Sequence, residues 1–303
     1  MSGPFAAQLP NATGVGAGTS RIRVWLKSAA YTQRLLLGEA ANPWASGAHY
    51  LAYFSQAHAL LKPDVAVLEV GDLYDAWAAA HGDWVESIGA KRRKPASALR
   101  KLIEPDAPRQ VLAEVVEAVL AHLRGQTPLV LAMPSPRCWI TQANRLSGST
   151  EFDALTGDDI EDGAMYVADL LRAVSAHPLS GLLLQEARDA SGFAADDLPR
   201  YQSIINVIGH YRWSAALRLP AGACISDALL SNFDAVIADA PDVVGSAATA
   251  CGRDITAVFA ASATAAAAQP LPVLADRQFY FAELAPGLRP ESVLDTMKLL
   301  RGQ

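Results

Sequence analysis

Cysteine is scarce in this chain: three occur in 303 residues, Cys138, Cys224 and Cys251, and no two form a CxxC pair. An odd, scattered count builds no disulfide framework and points to a reducing, cytoplasmic setting. Basic charge is short as well, with 25 Lys and Arg against 31 Asp and Glu and a net charge of -6. Nucleic acid and anionic membranes select a basic face, so neither is expected as a partner. No window reaches the roughly 18 uninterrupted apolar residues of a membrane span. The alanine-rich run from Ala263 to Ala268 is broken by Thr264 and only weakly apolar. No GxGxxG follows a strand-like run, and Gly14, Gly16 and Gly18 have no strand before them, so a dinucleotide fingerprint is missing. Residues 1–20 have neither a basic nor an apolar leader region and are rich in Gly, Pro, Ser and Asn. They read as a flexible tail.

What is present is a large apolar content, 51% of the chain, enough for one sizeable core. Its distribution is regular. Pro128–Gln142, PLVLAMPSPRCWITQ, is the clearest stretch: Leu129 to Met133 form a continuous apolar run. Such a run, buried on both faces, is what a strand of a parallel sheet looks like. Pro134, Ser135 and Pro136 end it and argue against a helix there. Other strand-like runs are Arg23–Ser28, Val65–Val70, Leu182–Leu184, Ser214–Leu219, Ala235–Ala238, Ile255–Ala260 and Phe279–Glu283. Helical spacing appears over Pro43–Leu61, Asp75–Ile88, Gln110–Arg124, Asp158–Ala176, Leu198–Tyr211, Ile225–Leu230 and Pro290–Arg301, with a single turn at Ala247–Cys251. Strands alternating with helices imply parallel pairing through crossovers. About eight of them imply an α/β fold of the (β/α)8 TIM barrel class, a single domain over residues 21–303. An open doubly wound sheet is the alternative.

Barrels of this kind carry their sites where strands end. The ends gather Lys27; Glu69 and Asp72; Arg137 and Cys138; Gln185, Glu186 and Arg188; Arg218; Asp239 and Asp242; and Glu283. Arg137 and Arg218 are candidates to grip a substrate carboxylate. Lys27 is a candidate anion partner. Asp72, Glu186 and Glu69 are candidate general acids or bases. Cys138 is a weaker candidate nucleophile, having no strand-end His as its base. Tyr74, Trp77, Trp84 and Trp139 are pocket wall or core. Of six histidines only His81, in AHGDW, follows a strand's helix closely enough to reach a site. Lys91–Lys94 is the one basic cluster and reads as a solvated loop.

The order of these strand ends resembles the superfamily of uroporphyrinogen decarboxylase and cobalamin-independent methionine synthase. PDVAVLEVGD (63–72) and TPLVLAMPSPRCWIT (127–141) look like the decarboxylase's second and third strand segments. LLLQEARD (182–189) is similar to a methionine synthase segment ending in a carboxylate, and FYFAELAPGLRPESV (279–293) looks like the last strand and helix of either enzyme. The departures matter as much. Of the decarboxylase's Arg-rich segment only Arg34 stands, in LKSAAYTQR (26–34), and its Gly-His-Gly is here Ala285-Pro286-Gly287. The methyltransferases' H-x-C has no counterpart in SAALRL (214–219). A zinc site needs three or four N or S ligands, which the sequence does not assemble.

The residues therefore lead to a cytoplasmic, metal-independent barrel enzyme without a cofactor, acting on a small carboxylated, aromatic or cyclic substrate. The expected reaction is of lyase type, a decarboxylation or related cleavage, with Asp72 or Glu186 moving the proton. The resemblance leaves a methyltransferase or demethylase using folate or a corrinoid protein as the alternative. A non-catalytic ligand-binding barrel is a third. Helix 110–123 would serve a homodimer as well as a core.

Overall fold

The computed structural model describes residues 4–10, 22–38, 41–89, 94–148, 155–189, 192–223, 225–239, 249–262 and 271–302. Eight strands alternate with helices. They are β1 (Val24–Lys27), β2 (Ala66–Glu69), β3 (Leu129–Pro134), β4 (Gly181–Gln185), β5 (Ser214–Arg218), β6 (Ala235–Ala238), β7 (Ala250–Asp254) and β8 (Gln278–Glu283). Between β1 and β2 run α1 (Ala29–Leu36) and α2 (Gly47–Leu61). Between β2 and β3 run α3 (Val70–Ala80), α4 (Gly82–Gly89), α5 (Ala96–Ile103) and α6 (Asp106–Leu123). The later helices are α7 (Pro136–Leu146), α8 (Gly157–Arg172), α9 (Gln202–Tyr211), α10 (Asp227–Leu230), α11 (Thr256–Ser262) and α12 (Pro290–Arg301).

All seven strand pairings are parallel, in the order β1-β8-β7-β6-β5-β4-β3-β2. The sheet curls into a nearly closed (β/α)8 barrel, a single domain. Strand alternation sorts the apolar residues into two layers. Trp25, Val130, Ala132, Leu183, Ala216, Ile237, Phe279 and Phe281 fill the interior. Leu68, Leu131, Met133, Leu184, Leu217 and Val236 face the helices. The interior sets large rings against small residues. A Cβ at Gly252 would come within 2.8 Å of Ile237 and of the Phe279 ring, so β7 has no room for a side chain there.

That small-residue strand explains one displaced element. ITAVFA (255–260) was expected as the seventh strand, but β7 is the preceding ACGRD, and Thr256–Ser262 is helix α11. Asp254 Oδ1 accepts the Thr256 N–H at 2.9 Å and starts that helix. Ile255 and Phe259, one helical turn apart, are both 2% exposed. A short apolar run fits a strand or a buried helix equally, and here the helix wins. Ala250 and Cys251, expected in a helical turn, are strand.

Three further boundaries move. Pro136 does not prevent a helix: Ser135 caps α7 by accepting the Cys138 N–H at 3.3 Å, with Pro136 in the first turn. There proline's missing N–H costs nothing. Helix α3 starts at Val70, directly after Glu69, rather than at Asp75. Within residues 1–20, expected as a flexible tail, the turn Phe5–Gln8 packs on the barrel, while 11–20 lies outside the described residues. Phe5 is 0% exposed, its N–H bonds Ser180 O at 3.1 Å, and its ring packs edge-on to Trp25 at 5.4 Å. It fills the end of the barrel opposite the strands' C-termini, where a Cβ at Gly181 would meet it at 2.3 Å. Phe5→Ala is expected to cost about 2–3 kcal/mol by urea denaturation, the low side for a buried Phe. The short segment can lift away instead of leaving a cavity.

Cys224, Asp242 and Lys91–Arg93 lie outside the described residues. Lys94 is 3.6 Å from Asp162. Among the described residues no helix is long and apolar enough to cross a membrane.

Candidate active site

The last inward-facing position of six strands carries a polar side chain: Lys27, Glu69, Gln185, Arg218, Asp254 and Glu283. They form one network across the barrel mouth. Lys27 Nζ donates to Gln185 Oε1 at 2.9 Å and lies 3.4 Å from Glu283 and 4.0 Å from Glu69. Gln185 Nε2 donates to Glu69 Oε2 at 2.8 Å. Arg218 bridges the other side, donating to Glu283 at 2.6 Å and Asp254 at 3.2 Å, its guanidinium 4.7 Å from the Phe281 ring centre. Arg188 also donates to Asp254, at 3.2 Å, and lies 3.9 Å from Asp239. Burial alone would push the Glu283 carboxyl up, but Lys27 and Arg218 hold it below its ordinary value.

Asp72 stands at this rim, in the first turn of α3. Its carboxyl is pushed up to about 7, first by burial among protein atoms and then by the charge of Glu69. Lys27 pulls the other way; Asp75 and Glu283 add to the rise. Asp72 keeps an open face to solvent, which tempers the desolvation, so the upward direction stands on the neighbouring carboxylates as well. A cavity of about 510 Å³ opens beside it and runs outward along α3, lined by Gln33, Asn42, Trp44, Asp72, Asp75 and Ala80; of the rim residues Asp72 alone lines it.

The remaining expected site residues go elsewhere. Glu186 follows Gln185 and so faces the opposite side of the barrel wall, among the helices. It is 5% exposed and accepts from Tyr201 at 2.6 Å, Ser135 at 2.8 Å and Cys138 at 3.5 Å. Burial raises its carboxyl and the hydroxyl donors oppose that; it is a buried anchor rather than an acid at the mouth. Cys138 is pushed up to about 12 by burial and then by Glu186, the reverse of an activated nucleophile. Arg137 is paired with Asp197 and lines a separate cavity of about 400 Å³ with Cys138, Thr141 and Arg145, which none of the mouth residues lines. Trp139 and Tyr74 are both 0% exposed and pack edge to face at 5.6 Å; they are core, not substrate wall. His81 ends α3, exposed, stacked 3.8 Å from Trp77, about 16 Å along the helix from the strand end. Neither expected carboxylate anchor is free: Arg137 is outside the mouth, and Arg218 is spent on protein carboxylates.

Asp254 has no mark in the sequence, because β7 is made of small and polar residues and its end does not follow an apolar run. Gln33, Asn42 and Trp44 lie in connections with no motif to mark them. Among the described residues no three His, Cys, Asp or Glu side chains are grouped to hold a metal ion.

No family model and no curated protein matches the chain. Solved structures do. A methyltransferase from Methanosarcina mazei superposes with a TM-score of 0.58 at 10% identity, over 97% of this chain and 94% of its own. A dihydrodipicolinate synthase from Agrobacterium tumefaciens overlaps more loosely, with a TM-score of 0.36 at 16% identity over 68% of this chain and 70% of its own. At 10% identity the first likeness is one of architecture: the chain shares the (β/α)8 barrel over nearly its whole length.

Proposed function

We propose that the chain is an enzyme that moves a proton on a small polar substrate at the barrel mouth, in a lyase-type cleavage of a carbon–carbon or carbon–heteroatom bond. The observation behind this is the placement of Asp72, at the rim beside Glu69 and lining a cavity large enough for a small molecule, where its surroundings push its carboxyl up to about 7. At neutral pH an ordinary aspartate is almost wholly ionised, whereas one at about 7 can both give and take a proton. Among the described residues the rim holds Glu69, Asp72, Asp239, Asp254 and Glu283 against Lys27, Arg188 and Arg218. An excess of acid favours a substrate rich in donors, such as an amine or hydroxyl group. Lys27, 27% exposed, is the mouth cation that acts on Asp72 and the candidate partner of a substrate carboxylate. A small amino or hydroxy acid fits both features.

A second reading is methyl transfer, with folate or a corrinoid protein as methyl carrier. The resemblance to methionine synthase supports it, together with the full-length likeness to a methyltransferase. One experiment separates the two. Purified protein is incubated with a panel of small amino and hydroxy acids, and release of CO₂, ammonia or water is followed by NMR. A parallel panel offers methylfolate and methylcorrinoid and follows the methyl group. The lyase reading expects turnover in the first panel, lost about 100-fold in Asp72→Asn. Turnover in the second panel alone, or first-panel turnover indifferent to Asp72→Asn, overturns it.

A further inference from the structure

β1 and β2 are the two ends of the curled sheet and share no hydrogen-bonded ladder. Alternation shows which backbone groups face across the gap. The carbonyls of Arg23 and Lys27 accept from Tyr280 and Leu284, on the β8 side, at 2.9 and 2.8 Å. Ala66 N–H donates to Pro128 on the β3 side at 2.9 Å. The N–H and C=O of Leu26 and of Val67 therefore point into the seam. Side chains close its ends. Asp64 Oδ2 accepts the N–H groups of Arg23 and Val24 at 2.8 and 2.7 Å. Lys27 stands 4.0 Å from Glu69 at the mouth.

Between these closures lies a cavity of about 40 Å³ lined by Leu26, Thr32, Tyr53, Ala57, Val67 and Glu69, among others. Glu69 is 5% exposed. Its Oε2 holds Gln185, but its Oε1 has no partner among the described residues. Buried polar groups rarely go unpaired, and a cavity above roughly 10–15 Å³ that offers two or more polar partners can hold water.

We propose that the seam is a built water site. Ordered water replaces the missing ladder, bonding the Leu26 and Val67 backbones and Glu69 Oε1. Solvated from behind, Glu69 acts as a positioning residue, holding Gln185 and, through it, Lys27 at the mouth. The inference is independent of the reaction proposed above.

The first test is a high-resolution crystal structure of the full chain, with parallel crystals soaked in caesium chloride. Water peaks within hydrogen-bond distance of Glu69 Oε1 and the Leu26 and Val67 backbones are expected. A dry seam, a direct β1–β2 ladder, or an anomalous caesium peak, which would make it a cation site, overturns the proposal. The second test fills the cavity from α2 with Ala57→Leu. The ionisable groups around Glu69 are Lys27 from β1, Asp72 from α3, Glu283 from β8, and Tyr50, Tyr53 and His58 from α2; this variant replaces none of them. With its waters displaced, Glu69 no longer keeps its place at the mouth, so the NMR titration midpoint of Asp72, which the Glu69 charge helps to raise, shifts from that of the parent protein. Amide exchange at Leu26 and Val67 changes with it. A folded variant with the waters gone and the Asp72 midpoint unmoved removes the positioning role.

Discussion

Arg218→Ala is expected to lose about 3–5 kcal/mol of unfolding free energy, measured by urea denaturation at neutral pH. Arg218 is 3% exposed and neutralises two carboxylates, Glu283 at 2.6 Å and Asp254 at 3.2 Å. Removing it leaves Asp254, whose side chain is 5% exposed, with Arg188 as its remaining cation, and Glu283, a third exposed, with Lys27. Breaking one side of a buried pair costs far more than the pair contributes when intact, because the surviving charge stays desolvated. Against a usual stability of about 5–15 kcal/mol, the loss is large. Arg218→Lys keeps the charge but not the fork that spans two acceptors, and recovers part of it. The acid limb should change as well. Glu283 titrates below its ordinary value when folded. Its stabilising share is thus present above the unfolded pKa of about 4.3 and disappears as pH falls through the folded value. In Arg218→Ala that limb flattens. A loss under about 1 kcal/mol would mean that water already solvates the two acids.

Asp72→Asn is expected to lower kcat about 100-fold on the substrate that the screen identifies, and to remove the pH–rate limb near 7. Its effect on stability has the opposite sign. A carboxyl raised from 3.8 to about 7 holds a proton in the folded state that the unfolded chain releases. Folding stability therefore falls as pH rises from about 4 to about 7, then levels off. Asparagine cannot ionise. The variant should be more stable than the parent at pH 8, by about 1 kcal/mol once solvent on the open face of Asp72 is allowed for, and equal to it near pH 3. Thermal melts at the two pH values check this. A variant less stable at pH 8 would place Asp72 in a favourable ion pair instead.

Most of the architecture was legible along the chain. β3 reads as a buried strand because Leu129 to Met133 are apolar without a break. Pro290 marks the start of α12 because proline suits a first turn. β7 was not legible, since its inward positions are Ala250, Gly252 and Asp254. A strand packed against Phe279 needs small residues, and these leave no apolar signature. Helix α3 was read too short because a helix beginning on the last strand residue leaves no loop to see.

The site divides the same way. Strand ends follow from local pattern, so the gathering of Lys27, Glu69, Asp72 and Arg218 at one rim is legible in the sequence. Their partners could not, because pairing is a contact between distant parts of the chain. Lys27 meets Gln185 across 158 residues, and Arg218 meets Glu283 across 65. The sequence by itself determined the alternation of strands and helices, and with it which residue types gather at one rim. Only the tertiary structure decided which charges cancel there. It took Arg137, Glu186 and Trp139 out of the mouth, neutralised Arg218 within it, and left Asp72 poised near neutrality. The physical reason is that burial follows local periodicity, whereas a charge's strength depends on every group that folding brings within a few ångströms of it.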